Sequence, residues 1–216
     1  MKTLIIIPSR LSATRLPGKP LLKINGVSII SHVFRKAEAA DIGEVFVATE
    51  DIEIIDDIKK NGGQAILTSK DHKTGTDRVY EAFKKINKTD VDLIMNLQGD
   101  EPLINIDDIR NLHNQMIKTS SELGTLASNI ENINFFTNPN IVKVTTKNNL
   151  NNFEFPEAIK FLRRVPNSTK NTFHHVGIYC YKNETLGRFI SLKQSTNEIK
   201  NNLEQLRALD NNININ

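Results

Sequence analysis

Residues 4–20, LIIIPSRLSATRLPGKP, run from a buried-strand signal straight into a long basic loop. Leu4 to Ile7 form a continuous, mostly β-branched apolar run, the pattern of a central parallel strand covered on both faces. Pro8 is expected to end it. The loop beyond Pro8 is too polar and too rich in Ser, Pro and Gly to be core, yet it carries Arg10, Arg15 and Lys19. Lys2, Lys23, Arg35 and Lys36 add to this charge, and no carboxylate precedes Glu38. Scattered cations on a loop can be a solvated surface. Against that, Pro17 and Gly18 force a turn immediately before Lys19, the mark of a shaped loop whose cations converge. A loop at the carboxyl end of an inner strand is where open α/β sheets take ligands, and Arg and Lys together ask for a polyanion. Neither the GxxxxGK[ST] phosphate loop nor the dinucleotide GxGxxG spacing is present.

Outward from this stretch, the pattern alternates between strand and helix. Asn25-Gly26 marks a turn, and residues 27–40 place Ile29, Ile30, Val33, Phe34 and Ala37 on one helical stripe. Strands are expected at 44–49, 64–68 and 91–97, and helices at 52–60 and 76–86, the latter capped by Thr76. This predicts an α/β fold with a parallel sheet and helices on both faces. The later half is less regular. It reads as a helix at 106–117, strands at 124–130, 141–146 and 174–181, and helices at 184–190 and 198–209. Consecutive strands without a helix between them imply an antiparallel excursion. No linker or repeat divides the chain, so its 216 residues are expected to form a single domain.

A net charge of +3 makes the basic loop a local feature, and no stacking aromatics interleave its cations, which argues against nucleic acid. The apolar runs fall far short of a bilayer span, so a soluble, cytoplasmic protein without a membrane partner is expected. Cys180 is the only cysteine, which rules out an internal disulfide or a cysteine-cluster metal site.

Three further stretches carry chemistry. Asp100 follows the 91–97 strand through Gln98-Gly99, placing a carboxylate at the same sheet edge as the basic loop. It fits either an ordinary Asp-Glu-Pro turn or a magnesium ligand facing phosphates. Thr74-Gly75-Thr76-Asp77-Arg78 is a turn entering a helix, either a plain cap or a set of amides meeting a base or phosphate. In HHVGIYCYK, Val176, Ile178 and Cys180 share one face. His175, Gly177 and Tyr179 share the other, expected to be polar. In 198–209, Ile199, Leu203 and Leu206 are expected to face the core, with Arg207 solvated.

IPSRLSATRLPGKPL closely resembles the N-terminal signature of the CMP-sugar-acid synthetases, within the nucleotidyltransferases. With NLQGDEP and LEQLR the resemblance narrows to the 3-deoxy-manno-octulosonate (KDO) cytidylyltransferases and covers nearly the whole chain. It implies a Rossmann-like nucleotide-diphospho-sugar transferase fold, with a dimerisation and sugar-binding lobe in the antiparallel part. It further implies attack of the sugar's anomeric hydroxyl on the α-phosphorus of CTP, giving CMP-KDO and pyrophosphate for lipopolysaccharide biosynthesis.

By this resemblance Arg10, Lys19 and Asp100 are catalytic, with Asp100 holding Mg2+. Pro8, Ser9, Thr74, Gly75, Arg78 and Gln98 join Arg10 and Lys19 around the nucleotide. Arg15, Gln98, Arg163, His175, Tyr179, Glu204 and Gln205 meet the sugar acid, although KFLRR departs from the family's pattern around Arg163. A homodimer is implied. The family carries a second metal-binding aspartate beyond LEQLRALDNNINI, so the sequence reads as truncated and its activity is open. The competing readings are a CMP-nonulosonate synthetase acting on a sialic-acid-type sugar, and a nucleotide-binding relative without turnover.

Overall fold

The computed structural model describes residues 1–12, 16–150, 154–165 and 169–216. They group into two compact units, 1–113 and 114–216. The first opens with β1 (Thr3–Ser9), a short hairpin of β2 (Lys23–Ile24) and β3 (Val27–Ser28), and α1 (Ile29–Ala39). It continues through β4 (Glu44–Thr49), α2 (Ile52–Lys60), β5 (Ala65–Leu67), α3 (Gly75–Ile86) and β6 (Leu93–Asn96). The chain passes into the second unit within α4 (Ile106–Thr119).

In the first unit β4 and β6 pair in parallel with the two edges of β1, and β5 extends the sheet beyond β4. Leu4 to Ile7 are fully buried. Successive strand residues point to opposite faces, so their common burial requires helices on both sides of the sheet. The stripe on α1 supplies part of that cover, with Ile29, Ile30, Val33, Phe34 and Ala37 all buried. Pro8 does not end β1; it pairs with Ala48, and the strand runs on to Ser9. A proline lacks only the N–H, so it is tolerated at a strand end where its carbonyl alone is used. The cap of α3 is Thr74, not Thr76: its hydroxyl accepts from the Asp77 amide while the Asp77 carboxylate accepts from the Thr74 amide. This reciprocal box moves the helix start to Gly75.

The second unit holds β7 (Leu123–Ser128), β8 (Lys143–Thr146), β9 (Ala158–Leu162), β10 (Thr172–Lys182), α5 (Asn183–Ser191), α6 (Thr196–Asn201) and α7 (Leu206–Asp210). β10 pairs antiparallel with β7 on one side and β8 on the other, and β8 pairs with β9. The expected helix over residues 198–209 is broken in two. Asn202 takes a left-handed conformation with φ 50°, the Leu203 amide donates back to the Glu198 carbonyl and the Asn202 amide to the Ile199 carbonyl, and this paired closure terminates α6. Leu203 and Leu206 are buried as expected, but Ile199 is left 64% exposed, because the break removes it from their stripe. Arg207 is also placed differently from expectation. Only 3% exposed, it makes two hydrogen bonds to the buried Glu198 carboxylate, at 2.6 and 2.9 Å, and lies 4.6 Å over the Phe189 ring.

Candidate functional site

The first unit gathers the chemistry-bearing loops at the carboxyl ends of its strands. The basic loop leaves β1 with Arg10 and returns at Lys19. The Gly18 amide donates to the Leu11 carbonyl at 3.1 Å across its neck, bringing the loop's two flanks together. Gly18 has φ 71°, a conformation open to glycine at little cost. The neck is pinned from below as well, since the Leu11 amide donates to Asp51 Oδ2 at 2.7 Å. Asp51 sits at the start of α2 yet makes no side-chain cap there, so its carboxylate is free to serve the loop. If the loop holds CTP, as the sequence resemblance implies, Asp51→Ala is expected to raise KM for CTP about tenfold through the loss of one charge-assisted hydrogen bond. Steady-state kinetics with CTP varied would show it, and an unchanged KM would contradict the anchoring role.

Pro8, Ser9, Arg10 and Lys19 line one cleft with Thr74, Gly75 and Arg78 from the start of α3 and with Gln98, Gly99 and Asp100 after β6. Lys19 Nζ lies 2.8 Å from Asp100 Oδ2, joining two motifs that are far apart in the sequence. Arg10 is exposed and has no ion-pair partner among the described residues. The Ser9 hydroxyl is buried without a hydrogen-bond partner among the described residues, so its hydrogen-bonding capacity is available to a molecule in the cleft. Gly99 is required by space: a Cβ would stand 2.8 Å from the Pro8 carbonyl oxygen and 3.0 Å from Ile30 Cδ1. Gln98 donates to Asn96 Oδ1 at 3.2 Å and Asn96 to the Thr76 hydroxyl at 3.3 Å, tying the end of β6 to α3. Burial, with Asp100 alongside, pushes the Glu101 carboxyl up, while Lys19 opposes the shift.

Arg78 lines the cleft but is committed elsewhere. Its guanidinium donates to the Glu50 carboxylate, to the Thr68 hydroxyl at 2.5 Å and to the Ser69 carbonyl at 3.1 Å. It thus holds the segment after β5 against the end of β4. His72 and Lys73 also line the cleft, and no pattern in the sequence marks either. Both Glu81 carboxylate oxygens accept from the Ser69 amide, and His72 Nε2 and Lys85 also contact this carboxylate. Partial burial opposes ionisation, but these partners hold the Glu81 carboxyl down at about 2. Asp51 is likewise absent from the sequence-based expectations, although it follows a strand end just as Asp100 does. Arg15 lies outside the described residues.

Among the described residues no group of three or more His, Cys, Asp or Glu side chains could cage a metal. Magnesium keeps several waters and is held by one or two carboxylates together with substrate phosphates. The half-exposed Asp100 carboxylate, facing a cationic cleft, fits that mode and not a protein cage.

The second unit places the remaining predicted residues. His175 and Tyr179 share a strand face, but this face is buried and aromatic instead of polar. Ring centroids run from Phe161 to His175 at 5.0 Å, to Tyr179 at 5.6 Å, to Tyr181 at 6.0 Å and to Phe189 at 5.9 Å. The Thr125 hydroxyl donates to the Ile178 carbonyl at 2.7 Å and so must accept from His175 Nε2 at 3.0 Å. A hydroxyl has one proton to give, which fixes the neutral Nε2–H tautomer. Burial, with His174 adding to it, lowers the His175 pKa to about 3, and burial with Glu204 nearby keeps Tyr179 a phenol. The unfolded chain binds the His175 proton near pH 6.5 while the folded one refuses it until about pH 3. Stability is therefore full above 6.5 and lost as pH falls towards 3, by about 1.4 kcal/mol per pH unit from this group. Urea unfolding between about pH 7 and 4.5 is expected to show a shallower pH slope in His175→Gln; parallel slopes would refute the assignment.

Gln205 is buried at the start of α7, and Glu204 lies one residue before it with its carboxylate 4.0 Å from Arg207. Arg163, expected to meet a sugar carboxylate, is engaged elsewhere. Its guanidinium donates to three main-chain carbonyls, those of Asn201 and Asn202 at 2.7 Å each and that of Pro139 at 3.0 Å.

Residues 4–215 match the family model of the cytidylyltransferases. A 3-deoxy-manno-octulosonate cytidylyltransferase of Rhodopseudomonas palustris strain BisB18 is 43% identical over 97% of this chain and 85% of its own length. One of Thermodesulfovibrio yellowstonii is 42% identical over the whole chain and 89% of its own length. Among solved structures, that of a CMP:2-keto-3-deoxy-manno-octonic acid synthetase complexed with CTP superposes with a TM-score of 0.89 at 36% identity, covering all of this chain and 88% of the other. A 4-diphosphocytidyl-2C-methyl-D-erythritol synthase of Anaerococcus prevotii, at 8% identity and a TM-score of 0.63, shares the fold alone.

Proposed function

Because this chain belongs to the cytidylyltransferase family, we propose that it joins CTP to 3-deoxy-manno-octulosonate, giving CMP-KDO and pyrophosphate for lipopolysaccharide biosynthesis. The observation that carries this reading is a likeness along nearly the whole chain to relatives named for that sugar acid. The cleft of the first unit supplies the matching chemistry.

In the reaction the anomeric hydroxyl oxygen of the sugar forms a bond to the α-phosphorus of CTP. The bond from that phosphorus to the β-phosphate bridging oxygen breaks, pyrophosphate leaves with that oxygen, and the hydroxyl proton passes to water. Such transfers are accelerated by positioning and by neutralising charge. Arg10 and Lys19 meet the triphosphate, and the Ser9 hydroxyl and the amides at the start of α3 complete the nucleotide's surroundings. Gln98, with its amide nitrogen fixed by Asn96, borders both substrates. Asp100 would hold Mg2+, which supplies Lewis-acid stabilisation of the α-phosphate when bound. In the same proposal His175, Tyr179, Glu204 and Gln205 serve the sugar acid, and the enzyme works in the cytoplasm as a homodimer, the dimer being what its sequence resemblance implies.

The test is a panel of acceptors with CTP and magnesium, read as pyrophosphate release and as the CMP-sugar formed. CMP-KDO as the dominant product supports the reading. Preference for a nine-carbon sialic-acid-type sugar, or CTP binding without turnover on any acceptor, would reject it.

A further inference from the structure

Two cations of the second unit are bound entirely by main-chain carbonyls. Lys143 is 1% exposed, and its Nζ donates to the carbonyls of Asn138 and Ile141 at 2.7 Å each and of Arg163 at 2.6 Å. An ammonium has three protons, so these acceptors saturate it. Arg163 in turn donates to Pro139, Asn201 and Asn202. Neither cation has a carboxylate partner among the described residues. A buried ammonium without a counter-ion is unfavourable unless fully hydrogen-bonded; these three bonds meet that condition and tie residues 138–141 to the end of β9, while the Arg163 side chain ties the end of β9 to the C-terminus of α6.

That third segment is the informative one. The last carbonyls of a helix have no partner within it, and a cation placed there also meets the negative end of the helix dipole. Arg163 caps the two at the break in α6, those of Asn201 and Asn202. Two residues after Asn202 the chain reaches Glu204, and then Gln205, buried at the start of α7. The far side of this turn is fixed by the Arg207 amide donating to the Glu204 carbonyl at 3.0 Å and the Ala208 amide to that of Gln205 at 3.2 Å. Its near side is fixed by Arg163.

We propose that Lys143 and Arg163 form a carbonyl latch that sets the position of the Glu204–Gln205 turn, making Arg163 a positioning residue of the sugar-acid site and not a contact to the sugar's carboxylate. This rests on the reading above that Glu204 and Gln205 serve the sugar acid.

The test compares Arg163→Gln, Arg163→Lys, Glu204→Gln and the double variant Arg163→Gln/Glu204→Gln in the full chain. It measures kcat and both KM values, with amide hydrogen exchange recorded in the absence of substrates. Arg163→Gln is expected to raise KM for KDO about tenfold while leaving KM for CTP within about twofold. Adding it to Glu204→Gln is expected to cost much less than the product of the two single effects, because both act through one turn. Exchange at residues 203–207 should quicken about tenfold in Arg163→Gln with residues 1–113 unchanged. Arg163→Lys, which keeps the charge but not the three-way reach, should fall between, and it carries the comparison if the glutamine variant does not fold. Multiplicative kinetic effects with unchanged exchange at 203–207 would overturn the latch and make Arg163 a direct sugar contact. If the wild-type chain releases no pyrophosphate in response to KDO, the sugar reading falls by itself, and the exchange measurement alone then decides the latch.

Discussion

Lys19→Met is expected to lower kcat/KM for CTP about a hundredfold, the loss that follows when one charge proposed to face a reacting phosphate is removed. Lys19 is the return flank of a loop closed at its neck by the Gly18–Leu11 hydrogen bond, and its ammonium sits 2.8 Å from Asp100 Oδ2. The substitution thus removes the proposed phosphate partner and also leaves Asp100 without its counter-charge. The melting temperature should barely move. Lys19 and Asp100 side chains are 33% and 55% exposed, and exposed pairs contribute about 0–1 kcal/mol to stability. The separation is the diagnostic: a large kinetic loss at constant stability places Lys19 in the reaction, whereas a loss below about tenfold, or one matched by unfolding, would remove it from the proposed chemistry. Arg10 offers a second comparison, since it has no ion pair to lose among the described residues.

Arg207→Met should destabilise the folded chain by about 3–5 kcal/mol, because it leaves the Glu198 carboxylate buried without its partner. Burial already pushes the Glu198 carboxyl up, and it is hydrogen bonds from Arg207, Gln194 and the Ser195 amide that hold it below the usual range. The pair is almost completely enclosed, with side chains 3% and 4% exposed. Replacing both residues, as Arg207→Met/Glu198→Leu, should recover most of the loss, since two apolar groups need no partners. Chemical denaturation of the three chains measures this. An Arg207→Met variant as stable as wild type would show that the ion pair contributes nothing that methionine cannot. The same experiment bears on the Glu204–Gln205 turn, since Arg207 is anchored just beyond it.

These two residues also show what could be read from the sequence. Lys19 was legible because its signal is local: an apolar run, a polar loop and a Pro-Gly turn fix where the loop begins and ends, and strand ends in parallel sheets face one edge. The place of Asp100 at the same sheet edge was legible for the same reason. The strand–helix alternation of the first unit followed from the apolar pattern, which burial enforces on every residue of β1 except Pro8. Arg207 was not legible. Its partner lies nine positions away, across a helix break that depends on Asn202 adopting φ 50°, and a continuous helical pattern predicts neither the break nor the burial. β9 was missed because Ile159 and Lys160 are exposed side by side, which spoils the alternation that marks a strand. The aromatic row through His175 and Tyr179 was half legible. Parity put both on one face, but the cover over that face comes from Phe161 and Phe189, on β9 and α5, which no local pattern reveals. Arg163 was assigned by resemblance alone, and only tertiary contact shows that its hydrogen bonds go to backbone carbonyls.

If the cleft between the basic loop and Asp100 drives cytidylyl transfer to a sugar acid, both the acceptor and the carboxylate must be indispensable. Pyrophosphate release from CTP and magnesium, with and without KDO, by the wild-type chain and by Asp100→Ala, measures the two requirements together. Release should require KDO and should fall at least about a hundredfold in the variant. Release independent of KDO, or release that survives loss of the Asp100 carboxylate, would show that the chemistry does not run through this cleft.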